Sequence, residues 1–229
     1  MRRNGLFMKT NTVDIEVDGT RYNSLSDFGL AIGNTDYIGS PVQDDSNLIF
    51  VPGNPRPLDT SESVFGGTVF KYRKIDIAFG GMRSPEKWDG FISDMRNKFE
   101  GKEVKLYFLT DPDWYYIGKV KIEDFEHKRP IGEFGFVIPY ADAYKHRERK
   151  IQVVTTAAGT NIVLDNSRQE VIPKITTTGS ITITAGTNTI TMSAGTWENT
   201  ALILPSCRNT EWIIRGNATV TIEYTEGSL

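Results

Sequence analysis

Apolar residues recur at every second position through most of this chain, and at helical spacing through a single segment. Residues 13–17, VDIEV, set Val13, Ile15 and Val17 against Asp14 and Glu16. A two-residue period sends one set to a buried sheet face and the other to water. Gly19 then completes a D-G turn, a strong hairpin signal. The same texture returns in TVFKYRKIDIAFG (68–80), where Val69, Tyr72, Ile75, Ile77 and Phe79 alternate with polar residues. It continues through KEVKLYFL, YYIGKVKIEDFEHK and GEFGFVIPYADAY, read as three successive strands with Pro112 marking one turn and Pro130 the next break. Between residues 40 and 63, Pro41, Pro52, Pro55 and Pro57 block helix and central strand alike, leaving Leu48 to Val51 as the part able to pair.

The one helical segment is SPEKWDGFISDMRNKFEG. Ser84 suits the N-cap, Pro85 the first helical position, and Glu86 complements the dipole in the first turn. Trp88, Ile92, Met95 and Phe99 then fall on one stripe, and Gly101 stops the helix. Gly90 costs about 1 kcal/mol relative to alanine, so packing of the stripe must hold the helix. The stripe reads as core.

Past residue 144 the texture shifts to Thr, Gly, Ile and Asn. Strands are expected at Ile181–Thr184 and Thr189–Ser193 around the turn AGTN, and a final pair, EWIIRG and ATVTIEY, is joined through Gly216-Asn217. Short strands without helical period imply a second β-sandwich. The basic run KHRERK (145–150) sits at this change and reads as a solvated linker, giving domains 1–144 and 145–229.

With 38% hydrophobic and 24% charged residues in 229, the chain has ample material for packed cores and is not a disordered one. A formal net charge of −3 argues against a globally basic nucleic-acid binder. The segment MRRNGLFMK has no long apolar run behind it, so no signal peptide or membrane span is expected, and the chain reads as soluble and made in a cytoplasm.

Candidate chemistry is sparse. Cys207 has no second cysteine to pair with, and reads as a small buried or half-buried thiol. His127 and His146 are too few to make zinc-ligand spacing with it. Gly66-Gly67 precedes a strand instead of opening a helix, so no phosphate loop is read. Three carboxylate pairs remain: Asp44-Asp45, Asp111/Asp113 and Glu123-Asp124. Asp111 and Asp113 flank a proline between two strand patterns and read as turn residues, although a glycosidase also needs two carboxyls. Of Trp114, Tyr115 and Tyr116, the middle ring points away from the other two on a strand, so the three cannot form one flat sugar platform. No metal, cofactor or catalytic residue is expected. In the second domain Trp197 and Trp212 are the candidates for a carbohydrate platform, with core packing the alternative.

Read in order, several segments resemble the distal tail proteins of long-tailed, non-contractile bacteriophages. They are DFGL (27–30), VPGNPRPLDTSES (51–63), YRKIDIAF (72–79), the helix around KWDGFISDM, GKEVKLYFLTDPDWYYIGKV (101–120) and FGFVIPYADAY (134–144). The closing PSCRNTEWIIRGNATVTIEYTEGSL is also similar to the family's last two strands. The resemblance implies a mainly β chain: an N-terminal β-sandwich with one flanking helix, then a C-terminal galectin-like or carbohydrate-binding-module-like β-sandwich. It implies a homohexameric ring at the distal end of the virion's tail. There the ring joins the tail tube protein to the tail-tip hub protein and lets DNA through. Receptor-binding proteins attach to some relatives. No active site carries over. The competing reading is a carbohydrate-binding host-adhesion module.

Overall fold

The computed structural model describes residues 12–33, 37–44, 48–52, 58–60, 69–128 and 130–229. Residues 1–9, Asp45, Pro55, Pro57, Gly66 and Gly67 and the side chains of Asp124 and His127, named above, lie outside the description. The chain divides into two compact units, Met1–Ala143 and Tyr144–Leu229.

In the first unit the strands are β1 (Val13–Val17), β2 (Thr20–Asn23), β3 (Leu30–Ile32), β4 (Tyr37–Ile38), β5 (Val42–Gln43), β6 (Leu48–Ile49), β7 (Leu58–Asp59) and β8 (Phe70–Met82). After them come α1 (Pro85–Phe99), β9 (Glu103–Phe108), β10 (Tyr115–Lys119), β11 (Lys121–Lys128) and β12 (Ile131–Ala141). One antiparallel run is β10-β9-β1-β2. A second is β11-β12-β8-β3, with β4 and β5 also on β8. The β1–β2 turn places Asp18 and Gly19 at φ 50° and 74°, the left-handed pair that a two-residue hairpin requires.

Val13, Ile15 and Val17 face a core shared with Ile75, Ile77, Phe79, Phe134 and Phe136, and the helix closes it with Trp88, Ile92, Met95 and Phe99. These four helix residues are at most 4% exposed, as their spacing requires. Ser84 is the N-cap residue, although its side chain makes no cap bond. Trp88 donates its indole N–H to the Pro130 carbonyl at 3.1 Å, and its ring lies where a Cβ on Gly132 would sit 2.6 Å away. A glycine on β12 is thus what admits the indole.

Two sequence expectations change here. YYIGKVKIEDFEHK is two strands: β10 pairs with β9, while β11 pairs with β12 in the other sheet. The chain crosses at Val120, which exchanges backbone bonds with Gly101 and Lys102 (2.8 and 3.0 Å). On β8 the inward set is Arg73, Ile75, Ile77 and Phe79, so Tyr72 belongs to the outer face. Arg73 is 4% exposed, with Nε donating to the Ala143 carbonyl at 2.8 Å and its guanidinium 5.2 Å from the Tyr116 ring. Burial pulls the Arg73 pKa below its ordinary value, against the carboxylate of Asp142.

The second unit contains β13 (Lys145–Thr155), β14 (Thr160–Asp165), β15 (Lys174–Thr177), β16 (Ile181–Ala185), β17 (Asn188–Met192), β18 (Gly195–Glu198), β19 (Asn209–Arg215) and β20 (Ala218–Ser228). Runs β18-β15-β20-β13 and β14-β19-β16-β17 face each other across one core. Ile175, Val220 and Ile222 come from one sheet, and Leu164, Ile183, Trp212 and Ile214 from the other. That is a β-sandwich. The last two strands are consecutive but lie in opposite sheets, so they are not a hairpin. Gly216 makes the crossing at φ 125°, with a would-be Cβ 2.5 Å from the Ser180 carbonyl oxygen.

KHRERK is not a linker. It opens β13, which pairs residue for residue with β20 from Lys145↔Ser228 to Thr155↔Ala218. The carboxylates of β20 make a strand of this basic run, and they sit more than 70 residues away in sequence.

Candidate functional site

The turn after β9 closes with Asp111 N–H donating to the Phe108 carbonyl at 3.0 Å and Trp114 N–H to the Asp111 carbonyl at 3.1 Å. It delivers Asp111 and Trp114 to the rim of a cleft of about 490 Å³, lined with Ile32, Ile38, Phe108, Leu109 and Tyr116. Tyr116 reaches it from β10 and packs edge-on to Phe108 at 5.9 Å. Tyr115 turns to the opposite face, its ring tilted against Tyr107 at 5.3 Å, as strand alternation requires. Tyr107 donates to Glu16 Oε2 at 3.1 Å. Burial first, and the Glu16 carboxylate second, push its pKa up to about 12, so it remains a protonated donor.

Among the described residues, Asp111 is the one carboxylate lining the cleft; Asp113 is not in its wall. Cleavage of a glycosidic bond needs two carboxyls across the sugar, and this geometry offers one. Both residues do turn work. Asp111→Asn with Asp113→Asn should therefore change unfolding free energy by less than about 1 kcal/mol, because an amide serves these turn positions as well. A larger loss in denaturant unfolding would show that the charges themselves matter.

Of the remaining carboxylates, Asp44 is paired with Lys71 at 2.9 Å, and Glu123 with Lys121. No group of three or more His, Cys, Asp or Glu side chains is placed to hold a metal ion among the described residues.

The two tryptophans of the second unit have different environments. Trp197 on β18 is 41% exposed and donates its indole N–H to the Ser193 carbonyl at 2.9 Å. Trp212 on β19 is 0% exposed, in the core with Ile183, Ile214 and Val220. A fully buried ring presents no face to a sugar, so Trp212 is core. Cys207 also departs from expectation: it is exposed, at φ 53°.

The charged centre of the second unit was missed in the sequence. Glu226 is 2% exposed, and its Oε2 accepts from Arg147 Nη2 (2.6 Å), Arg147 Nε (3.0 Å) and Arg149 Nε (3.0 Å). Its Oε1 accepts from the Ser167 hydroxyl. Burial would raise the Glu226 pKa, but the bonds from Ser167, Arg147 and Arg149 outweigh it and hold the carboxyl below its ordinary value. Lys150 pairs with Glu223 at 2.7 Å. Alternation could have revealed Glu226, since it continues the inward series Ala218, Val220, Ile222, Tyr224. The cations of the basic run are thus largely satisfied by carboxylates of the same chain.

No family model matches the chain, and no curated protein sequence does. Its fold is similar to a solved structure, the Dit (gp 19.1) protein of phage SPP1, described as a paradigm of hub adsorption apparatus in Gram-positive infecting phages. The match has a TM-score of 0.59 and covers 93% of this chain and 98% of that one, at 11% identity. The described residues are mainly β with one α-helix, and the chain shares that protein's fold.

Proposed function

We propose that this chain is a distal tail protein of a phage or prophage, a structural subunit without catalytic function. The likeness to SPP1 Dit carries the reading, because it runs through nearly the whole of both chains. Six copies form a ring at the end of the tail that joins the tail tube protein to the tail-tip hub protein. Receptor-binding proteins are candidate further partners, and DNA passes through the opening without being held. The charge agrees with passage. A ring multiplies the −3 of each chain, and Arg147, Arg149 and Lys150 of the basic run are engaged by Glu226 and Glu223. Electron microscopy of the purified full chain tests this. Six-fold rings with an open centre are expected, and particles that stay single chains at every concentration would overturn it.

A further inference from the structure

Beside its core stripe, α1 carries Phe91, Asp94, Met95 and Lys98, which the helical period brings to one face. These side chains line a pocket of about 680 Å³ in the first unit, within the range of roughly 300–1,000 Å³ over which clefts hold ligands. Tyr22 on β2, Phe28 in the turn before β3 and Arg83 between β8 and α1 also line it.

Two cations in this lining have no carboxylate. Lys98 holds its Nζ 4.1 Å from the centre of the Tyr22 ring and 5.4 Å from that of Phe28. Asp94 lies one turn before it, at the spacing of a helical ion pair, yet among the described residues neither makes one. Arg83 sits over the Phe91 ring at 3.5 Å and donates Nη2 to the Phe28 carbonyl, while its Nη1 is buried with no partner. Burial pulls the Arg83 pKa below its ordinary value, which shows the charge to be poorly compensated. The rings hold both cations in place without neutralising them. Other charges of the pocket are engaged: Lys102 pairs with Asp18 at 2.7 Å, and Asp27 accepts from the Asn23 N–H at 2.6 Å.

We propose that this pocket binds an acidic side chain carried on an apolar segment of another protein. Lys98 receives the carboxylate, and Arg83, which adjoins the same Phe28, adds its uncompensated charge. Phe28, Phe91 and Met95 take up the apolar neighbour of that side chain. The lining favours a protein over a nucleic acid. Asp27 and Asp94 stand among the cations, so a single carboxylate finds its place there while a chain of phosphates meets repulsion. The pocket lies within one unit of one chain, and the inference holds with or without the ring.

The test is saturation-transfer NMR of the full chain with the blocked peptide acetyl-Leu-Glu-Phe-amide and its Gln counterpart. Saturable binding of the Glu peptide is expected, and binding of the Gln peptide at least about fivefold weaker, because a charge-assisted bond becomes a neutral one. Lys98→Gln should weaken the Glu peptide by a similar factor and leave the Gln peptide as it was. Thermal unfolding confirms that the variant is folded; Lys98→Met, which keeps an apolar stem over Tyr22, replaces it if it melts early. Absence of binding, equal binding of the two peptides, or a Glu peptide indifferent to the folded Lys98 variant would each overturn the proposal. A single-stranded oligonucleotide that binds with the same dependence on Lys98 would overturn it in favour of phosphate.

Discussion

Trp88→Ala should cost the first unit about 3–5 kcal/mol, the range for deleting a large buried aromatic. Trp88 is 0% exposed, donates to the Pro130 carbonyl, and fills space that Gly132 leaves empty. Removing the indole leaves a hollow that Gly132 has no side chain to fill. Phe91, whose ring packs against it at 5.8 Å, loses that contact, and so does Arg83, whose guanidinium lies 5.1 Å away. Since α1 carries Gly90 at its middle and a cap residue without a side-chain bond, packing of this stripe is its main support. Urea unfolding followed by far-ultraviolet circular dichroism checks the value. A loss under about 1 kcal/mol would mean that the helix does not depend on this contact.

Glu226→Ala should be nearly as damaging to the second unit, at about 3 kcal/mol. That is the lower end for breaking a buried ion pair, because the arginine side chains remain 24% and 33% exposed and regain some water. The truncation leaves Arg147 and Arg149 side by side without the carboxylate they share. Acid should reproduce the effect. The folded-state pKa of Glu226 is depressed, so its contribution is fully present above the ordinary value of 4.5 and is lost as pH falls through the folded value. The stability gap between wild type and Glu226→Ala should therefore shrink over the acid range, as pH falls below 4.5. A gap that stays constant over that range would show that the loss comes from packing and not from charge.

The helix was legible residue by residue, because Trp88, Ile92, Met95 and Phe99 obey a period set by the backbone alone. The Asp18-Gly19 hairpin was legible for a similar reason, since left-handed φ at both turn positions selects such residues. Arg73 and Glu226 were legible in principle. Each extends an inward-facing alternation, Arg73 that of Ile75, Ile77 and Phe79, and Glu226 that of Val220, Ile222 and Tyr224. They escaped because charged residues are read as solvated by default, and their burial depends on partners far along the chain. Arg73 finds the Ala143 carbonyl, and Glu226 finds Arg147. The candidate platform failed at Trp212 because aromatic content does not reveal which side of a strand meets a second sheet.

Sequence alone therefore determined what depends on neighbours a few positions away: the helix and its inward stripe, the Asp18-Gly19 hairpin turn, and the mainly β character. Tertiary structure decided which strands pair. It split β10 from β11 at Val120, and it sent β19 and β20 to opposite sheets through Gly216. It also turned the basic run into a strand opposite β20. The physical reason is range. Periodicity and turn chemistry act within a few residues, whereas a strand's partner is chosen by burial and charge matched across the whole chain.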